Sequence, residues 1–552
     1  MTLRVRLSIK NKYLIIPNQL NVKSTYCSYA ETQAFSVLVN DYINGSNSLK
    51  PFFAFDPSFG GIKDSVEARK KNQPNRGLLV SCIQDSYGKV NSSEKVKQNI
   101  QLLKSENTFT VCAAHQPNIF TGHLYFVYKI VHAIKLADEL NKQMPEYHFV
   151  PVYFMGSEDA DLNELGEVKI KDKIYKWETN QKGAVGRMTI DEGFIKLINE
   201  ISIELSSEPY GKETIALLET VYKKGLTIEK ATFSLVNELF GKYGLLIFLP
   251  DNKTYKNEFA DIIEKELFTS FSNKLLQQTI AKFPLEYKVQ TGGRDINLFY
   301  LKDGIRERIE KTANGYVVVN TSIHFTDADI KNETKNFPER FSPNVILRPL
   351  FQEKLLPNIA FIGGGGELAY WLELKNIFDA SSVPYPVLFL RNSFLIISEK
   401  FKKELNGLSV SFLELFKDDN ALLEQLVAKL STKQILLDQE KNEFVQLYQN
   451  ISTTASSVDT TLEKHVEALK IKALKRISIL EKKMFRAEKK QFSKEIQQLL
   501  NVKNELFPNN YLQERVDNLF TFYAVYGPAF IEQIFHHSLT TEQKFSVLEI
   551  EK

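Results

Sequence analysis

The sequence is poor in cysteine, in long hydrophobic runs and in net charge, and each shortage excludes a class of protein. Its three cysteines, Cys27, Cys82 and Cys112, lie far apart without a Cys-x-x-Cys pair, which argues against a disulfide framework or a thiolate zinc site. The longest apolar runs are strand-sized, whereas a membrane helix needs roughly 20 residues. A formal net charge of +3 over 552 residues is too small for a uniformly basic surface. We therefore expect no metal, membrane or nucleic-acid partner.

The N-terminal stretch is charged early, because Arg4, Arg6 and Lys10 interrupt the apolar residues before a signal-peptide core can form. We expect no secretion, and widely separated cysteines suit a reducing compartment. The sequence thus predicts a cytoplasmic protein. At 43% hydrophobic residues, the chain is long enough to bury a large core and to divide into about two to four domains.

Strand and helix patterns alternate over the first two-thirds of the chain. An apolar run at 108–114, an amphipathic stretch at 124–140 and an apolar run at 149–155 follow the order of a βαβ unit. The pairing recurs at 245–249 with 255–267 and at 359–362 with 367–374. We predict an α/β fold with a parallel-sheet core over residues 1–397, carrying inserted segments at about 165–240 and 282–340.

From about residue 398 the composition changes to Leu-, Ile-, Lys- and Glu-rich segments with few glycines and prolines. Apolar residues at steps of three and four form one helical stripe: Leu462, Val466, Leu469, Ala473, Ile477, Leu480 and Met484. Residues 418–450 contain another Leu-rich helical stretch that can fold back against it. We predict an antiparallel helical coiled-coil arm over 398–507, a homodimer through this arm, and a segment at 508–552 that docks back on the core.

The second arm helix has a basic face, formed by Lys470, Lys472, Lys475, Arg476, Lys482, Lys483, Arg486, Lys489 and Lys490. Such a face attracts polyanions in some proteins and is a solvated flank in most coiled coils. Aromatic residues that stack on bases are nearly absent here, which favours the solvated flank over RNA binding.

The most informative segment, residues 114–123, reads Ala-His-Gln-Pro-Asn-Ile-Phe-Thr-Gly-His between a predicted strand and a predicted helix. Ligands of doubly wound sheets bind where loops leave the carboxyl ends of strands. The candidates are His115 as a catalytic group and Gln116, Thr121, Gly122 and His123 as substrate contacts. The alternative is a simple capping loop, with Thr121 as the N-cap and Gly122 permitting the turn.

Carboxylates follow the next predicted strand. Glu158, Asp159 and Asp161 would lie beside the His115 loop by βαβ geometry and could orient an amine, so we take them as catalytic candidates. An acidic surface loop without a function is the alternative interpretation.

A third segment joins an arginine to a run of four glycines. Arg348 and Gln352 are candidate substrate contacts, with Arg348 suited to a carboxylate. The glycines leave backbone amides open to a ligand, although the run is neither a Walker loop nor Gly-x-Gly-x-x-Gly. The candidate contacts are Gly363, Gly364, Gly365, Gly366, Glu367, Tyr370 and Trp371. A flexible hinge is the alternative for the glycines, and core packing for the two aromatics.

In their order along the chain, these motifs resemble those of the bacillithiol-biosynthesis cysteine-adding enzymes, a family of cysteine ligases. The matching residues are His115-Gln116 with Phe120-Thr121-Gly122, residues 156–164, 348–352 and 363–371, Arg391-Asn392-Ser393, and Leu512-Gln513-Glu514-Arg515. The resemblance therefore covers nearly the whole chain.

This resemblance implies a Rossmann-like core related to class I nucleotidyltransferases and aminoacyl-tRNA synthetases, with inserted connecting segments and a dimerising coiled coil. It also implies that cysteine is added to glucosaminyl malate in the last step of bacillithiol synthesis. The His115 loop then takes the place of the synthetases' His-x-Gly-His signature, although the family often lacks a histidine at the place of His123. Arg391 and Ser393 fall near the synthetases' mobile Lys/Ser loop and are further candidate contacts. That loop lacks lysines here, so the sequence names no cofactor, and ATP is one candidate.

Two other functions fit parts of the sequence. One is a non-catalytic nucleotide-binding or assembly protein whose working part is the coiled coil, which would bind nucleotide without turnover. The other is an RNA-modifying relative of the synthetases, for which the basic helix is the supporting feature. Its binding would weaken steeply with salt.

Overall fold

The computed structural model describes residues 20–88, 90–433 and 436–551. The segment with Arg4, Arg6 and Lys10, on which the expectation of no secretion rests, lies outside these residues. The strands are β1 Asn21–Cys27, β2 Thr108–His115, β3 His148–Met155, β4 Glu167–Ile170, β5 Lys173–Lys176, β6 Leu246–Phe248, β7 Leu298–Lys302, β8 Ile305–Thr312, β9 Gly315–Val318, β10 His324–Phe325, β11 Phe341–Pro343, β12 Asn358–Gly363, β13 Val387–Leu390, β14 Ser393–Ser398 and β15 Phe545–Glu551.

Helices make up most of the rest. They are α1 Tyr29–Thr32, α2 Val37–Ile43, α3 Phe59–Lys70, α4 Arg76–Tyr87, α5 Glu94–Leu102, α6 Leu124–Gln143, α7 Leu162–Leu165, α8 Glu192–Leu205, α9 Gly211–Val221, α10 Ile228–Phe240, α11 Lys253–Asn257, α12 Ala260–Thr269, α13 Phe271–Ile280, α14 Asp327–Asn336, α15 Leu347–Leu355, α16 Gly365–Trp371, α17 Lys375–Ala380, α18 Glu399–Gly407, α19 Asp419–Leu430, α20 Asp438–Val458, α21 Leu462–Lys489, α22 Ser493–Leu506, α23 Leu519–Tyr526 and α24 Pro528–His537. Within the described ranges, none of them is long and apolar enough to cross a membrane.

A parallel five-stranded sheet in the order β13-β12-β2-β3-β6 forms the centre of the core. Its strands read as continuous apolar runs because helices cover both faces of such a sheet. The register of β2 with β3 runs from Thr108↔His148 to His115↔Met155, so the two strands end side by side. The predicted α/β fold with a parallel-sheet core is confirmed.

The inserted stretch around residues 298–343 forms a second, antiparallel sheet in the order β10-β9-β8-β7-β11. The segment predicted as one helix at 255–267 is instead α11 and α12. The break follows from Phe259, which is fully buried against Phe351 with ring centroids 4.9 Å apart, while Phe259 N bonds to Lys256 O in a tighter turn. Turning this aromatic ring into the core ends the first helix.

A second compact unit comprises Glu31–Ala34 and Ile396–Leu512. Within it, α20 and α21 form the predicted antiparallel coiled-coil hairpin, since Lys441 near the start of α20 pairs with Glu481 near the end of α21 at 2.5 Å. Residues 418–450 contain the predicted helical stretch as α19 and the first part of α20, which are separate because α19 ends at Leu430. Ser431 takes an extended backbone there and its hydroxyl donates to Glu488.

The described residues from Gln513 onward belong to the core unit, together with Phe35–Leu395 and the described residues up to Ala30. The last strand, β15, pairs antiparallel with β1, from Asn21↔Glu551 to Cys27↔Phe545. The chain therefore leaves the core after Leu395 and returns to it at Gln513.

Candidate functional site

The candidate residues of four separate segments meet at the carboxyl edge of the parallel sheet. The backbone N–H of Gly156, just after β3, donates to His115 O over 2.8 Å, and Arg391 N donates to Gly363 O over 2.7 Å. Gln116 Nε2 donates to Asp159 Oδ2 over 3.3 Å. The His115 loop, the acidic loop, the glycine loop and the Arg391 turn therefore form one cluster, as the position of a ligand site in such a sheet requires.

His115, the last residue of β2, packs its ring at centroid distances of 5.4 Å from both Tyr125 and Phe126. Its Nε2 atom is buried, and among the described residues none forms a hydrogen bond with it. Burial, reinforced by the charge of Lys129 and by His123, holds the pKa of His115 well below its ordinary value. The imidazole is therefore neutral near pH 7 and offers an unused nitrogen to a ligand.

The loop after His115 contains a turn in the left-handed region of backbone space, with φ of 51° at Phe120, 70° at Thr121 and 65° at Gly122. Glycine is needed at position 122, since a Cβ there would lie 2.7 Å from Asn118 Cβ. The capping alternative for Thr121 is wrong. Helix α6 begins at Leu124 with His123 at the N-cap position, because Thr121 is inside the preceding 3₁₀ turn.

The acidic loop divides its three carboxylates among different partners. Asp159 lies between two arginines, with Oδ1 3.9 Å from Arg306 and Oδ2 4.0 Å from Arg348. Burial alone would raise the pKa of Asp159, but Arg306, Arg348 and the hydrogen bonds from Gln116 and the Asp161 backbone together lower it below its ordinary value. Asp159 is therefore an ionised group within a cleft lined by Gly156, Arg306 and Arg348.

The other two acidic candidates have structural partners. Glu158 is buried, and its carboxylate meets Lys256 at 2.5 Å and accepts a hydrogen bond from Ser342. Asp161 is exposed and caps the short helix α7 by accepting from Glu164 N. The structure thus brings both Asp159 and Glu158 to the cleft, Glu158 already paired with Lys256, and leaves Asp161 outside its lining.

The glycine loop is tied to the His115 loop through a buried lysine. Glu367 accepts a hydrogen bond from Gly364 N over 2.8 Å and forms an ion pair with Lys129 of α6. Lys129 Nζ also donates to Ala114 O at the end of β2 over 3.0 Å. Because Glu367 caps the free amide of Gly364, α16 begins at Gly365, and the expected helix start at Glu367 is wrong.

The four glycines differ in their surroundings. None has a positive φ, so backbone freedom does not explain them. A Cβ on Gly363 would lie 2.8 Å from the Phe361 ring, and one on Gly365 would lie 3.1 Å from Val39. A Cβ on Gly366 would meet open space, which makes this position the accessible part of the loop.

Tyr370 lies beside Arg348, and burial, followed by the charge of Glu367, raises its pKa, so its phenol stays protonated. Trp371 faces the core instead, with its ring 4.5 Å from Phe361 and 5.6 Å from Phe378. Gln352 is also buried away from the cluster.

Gln352 donates to Glu353, which pairs with Arg69. Arg69 in turn donates to Asn358 O at the amino end of β12, opposite to the cluster. Arg391 and Ser393 lie at the cluster, and both contact Glu514.

Sequence reasoning missed Arg306 and Lys129. Lys129 had a usable signal, because a lysine on the apolar face of an amphipathic helix is expected to be paired when buried. Arg306 comes from β8 of the inserted sheet, and no local pattern indicates where that strand lies. In the described ranges, no group of three or more His, Cys, Asp or Glu side chains is arranged to hold a metal ion.

Comparison with known proteins matches one family over nearly the full length of the chain. The chain matches the family model "Bacillithiol biosynthesis BshC, N-terminal Rossmann-like domain" over residues 22–392 and "Bacillithiol biosynthesis BshC, C-terminal coiled-coil domain" over residues 394–550. A Flavobacterium johnsoniae protein named "Putative cysteine ligase BshC" is 38% identical over 525 residues, covering 95% of this chain and 99% of that protein.

Two further relatives carry the same name. The protein of Christiangramia forsetii is 38% identical over 528 residues, with 94% of this chain and 98% of the relative covered. The protein of Flavobacterium psychrophilum is 37% identical over 525 residues, with 95% of this chain and 98% of the relative covered. The predicted resemblance is confirmed, and the chain belongs to the BshC family of bacillithiol biosynthesis, with its Rossmann-like and coiled-coil domains.

Proposed function

We propose that this chain is a ligase that joins the carboxyl group of cysteine to the amino group of glucosaminyl malate, the last step of bacillithiol biosynthesis. Family membership and the name of its relatives support a cysteine ligase. The observation that carries the proposal is the buried Nε2 of His115, which has no hydrogen-bond partner among the described residues and lies near Lys129 and Arg348.

Both substrates carry carboxylates, so the site must hold negative charge. Arg348 and Arg306 contact Asp159 only at 4.0 and 3.9 Å, distances at the outer limit of an ion pair. A substrate carboxylate could replace such loose contacts with shorter, charge-assisted hydrogen bonds. We assign the malyl carboxylates to these two arginines.

Amide formation replaces a C–O bond of the cysteine carboxyl group with a C–N bond. The carboxyl oxygen leaves as water, or with the phosphoryl or adenylyl group where ATP activates the carboxyl, and the attacking amine releases a proton. Asp159 is ionised and lies in the cleft, so it is suited to orient the amine. Neutral His115 offers Nε2 as a hydrogen-bond partner for the reacting carboxyl group. Of the three acidic candidates, we assign the amine-orienting role to Asp159 alone.

The test is a reaction of the purified chain with cysteine and glucosaminyl malate, with ATP in one series and without it in another, followed by mass spectrometry of the product. His115→Ala should lower kcat by about 100-fold, the usual effect of losing a positioned polar group. His148→Ala is the matched control, because His148 is exposed at the amino end of β3. Equal rates in both variants would remove His115 from the site. ATP binding by the wild-type chain without product would favour the assembly protein.

We also propose that the chain is a homodimer through α20 and α21. The hairpin leaves apolar side chains uncovered in this chain, including Ile471 at 58% and Leu480 at 51% exposure. Ile471→Glu with Leu480→Glu should give a monomer by light scattering of the full chain. Ile203→Glu is the control, since Ile203 is an exposed apolar residue on α8. A dimer that survives the double substitution would place the interface elsewhere.

We propose a cytoplasmic location for this reaction. Cys27, Cys82 and Cys112 are buried and form no disulfide within the described residues, which suits a reducing compartment.

A further inference from the structure

The segment 513–518, where the chain returns to the core unit, contacts two of the site's loops. Glu514, which is fully buried, meets Arg391 Nη2 at 2.6 Å and accepts from Ser393 Oγ at 3.2 Å and from Phe394 N at 3.3 Å. One carboxylate therefore holds both the side chain and the backbone of the Arg391 turn.

Four residues further along, Asn518 holds the left-handed turn of the His115 loop. Its Nδ2 donates to Phe120 O over 2.7 Å and to Gly122 O over 2.5 Å. Asp517 O accepts from Leu124 N over 2.8 Å, so the turn is held at both ends. The side-chain oxygen of Asn518 serves a different purpose, because it accepts from Phe520 N as the N-cap of α23.

This turn needs external support. Phe120 and Thr121 are non-glycine residues with positive φ, a conformation that persists only where the surroundings determine it. Apart from Asn518, Phe120 is held by Tyr222, whose hydroxyl accepts from Phe120 N over 2.9 Å. The same turn connects His115 at the end of β2 with the start of α6.

We propose that Glu514 and Asn518 are positioning residues for the site. Glu514 fixes the Arg391 turn, and Asn518 fixes the turn between His115 and α6, so both loops keep the geometry that the reaction needs. The activity part of this inference rests on the proposed ligase function, whereas the loop-holding part does not. A site built from loops of different strands requires such support, because a displacement of about 1 Å can lower a rate by about 100-fold.

Asn518→Ser separates holding from capping, because serine keeps an N-cap oxygen but cannot reach two carbonyls. Glu514→Gln removes the charge opposite Arg391 at constant shape. The controls are Asn99→Ala, which removes a buried amide that donates to Gly244 O, and Glu353→Gln, which neutralises the buried partner of Arg69. Both controls lie away from the carboxyl edge of the sheet.

Amide hydrogen exchange of the full chain is measured first. Asn518→Ser should raise the exchange rate of residues 119–124 by about tenfold or more, and Glu514→Gln should do so for residues 391–394. The controls should leave both segments unchanged. Unchanged exchange in both test variants would overturn the inference, whether or not the wild-type chain forms product.

Kinetics are measured next. Both test variants should lower kcat by about 10- to 100-fold while KM for cysteine changes less than about threefold. The controls should keep wild-type kcat even where they lower the melting temperature. Faster loop exchange with full kcat would overturn the positioning role. A wild-type chain without activity would instead count against the proposed ligase function, and the exchange measurement would still decide the loop-holding part.

Discussion

Lys129 and Glu367 form an ion pair that joins the long helix α6 to the glycine loop at the edge of the sheet. Lys129 is almost fully buried, whereas Glu367 is about one-quarter exposed and also caps Gly364 N. Lys129 donates in addition to Ala114 O. The ends of β2 and β12, which are neighbours in the sheet, are therefore held by one lysine side chain.

Lys129→Met should lower the free energy of unfolding by about 3 kcal/mol, the low end for breaking a buried pair, because the remaining Glu367 carboxylate keeps partial contact with water. Urea unfolding measures this loss. The double variant with Glu367→Gln should be more stable than the sum of the single losses predicts, by about 1 kcal/mol or more. Strictly additive losses would show that the two side chains are not coupled.

Asp159→Asn should lower kcat/KM at least about tenfold, which corresponds to about 1.4 kcal/mol of transition-state stabilisation. The reason is that Asp159 lies between Arg306 and Arg348, whereas Glu158, which also lines the cleft, is paired with Lys256. Asp161→Asn makes the same chemical change on the same loop, and asparagine is an equally good N-cap, so it should retain wild-type activity and stability. Full activity in both variants would remove the acidic loop from the reaction.

Gly366→Val tests whether the glycine loop contacts a ligand. Its side chain would enter open space, so the free energy of unfolding should change by less than about 0.5 kcal/mol. If the space holds substrate, the Kd measured by calorimetry should rise about tenfold, or about 1.4 kcal/mol.

Gly363→Ala is the comparison for this test. It should instead lose about 1–3 kcal/mol of stability, because its Cβ would overlap the Phe361 ring. Unchanged affinity in Gly366→Val would mean that the loop serves packing alone.

Local sequence patterns predicted β2, α6 and β3 closely, because buried strands read as apolar runs and α6 as an amphipathic stretch. The pairing of β1 with β15 left no such signal, since the partners Asn21 and Glu551 lie at opposite ends of the chain. Arg391 and Glu514 are likewise far apart in the sequence, so no local pattern predicts their contact. Pattern reasoning placed Glu158 and Asp159 on one loop, but their different partners, Lys256 and the arginines, come from distant segments.

His132 provides a titration that depends on the fold. Its Nδ1 accepts from Asn392 N over 3.2 Å and its Nε2 lies 2.7 Å from Thr540 O, so the neutral ring uses one nitrogen as acceptor and the other as donor. Protonation would place an N–H opposite the N–H of Asn392. Burial lowers the pKa of His132 to about 4, against a smaller opposing effect of the Thr540 carbonyl.

Because the folded pKa lies below the unfolded value of about 6.5, the unfolded chain binds more protons between these values, and stability falls as the pH falls. At pH 7 the contribution of the neutral His132 ring to the free energy of unfolding is nearly complete. By pH 5 the wild-type chain should have lost about 2 kcal/mol of unfolding free energy through this group. His132→Gln lacks the titration, so its stability should fall by about 2 kcal/mol less over the same interval. His148→Gln, at an exposed histidine, should follow the wild type. Parallel declines in the wild type and His132→Gln, measured by urea unfolding at both pH values, would show that His132 is not the responsible group.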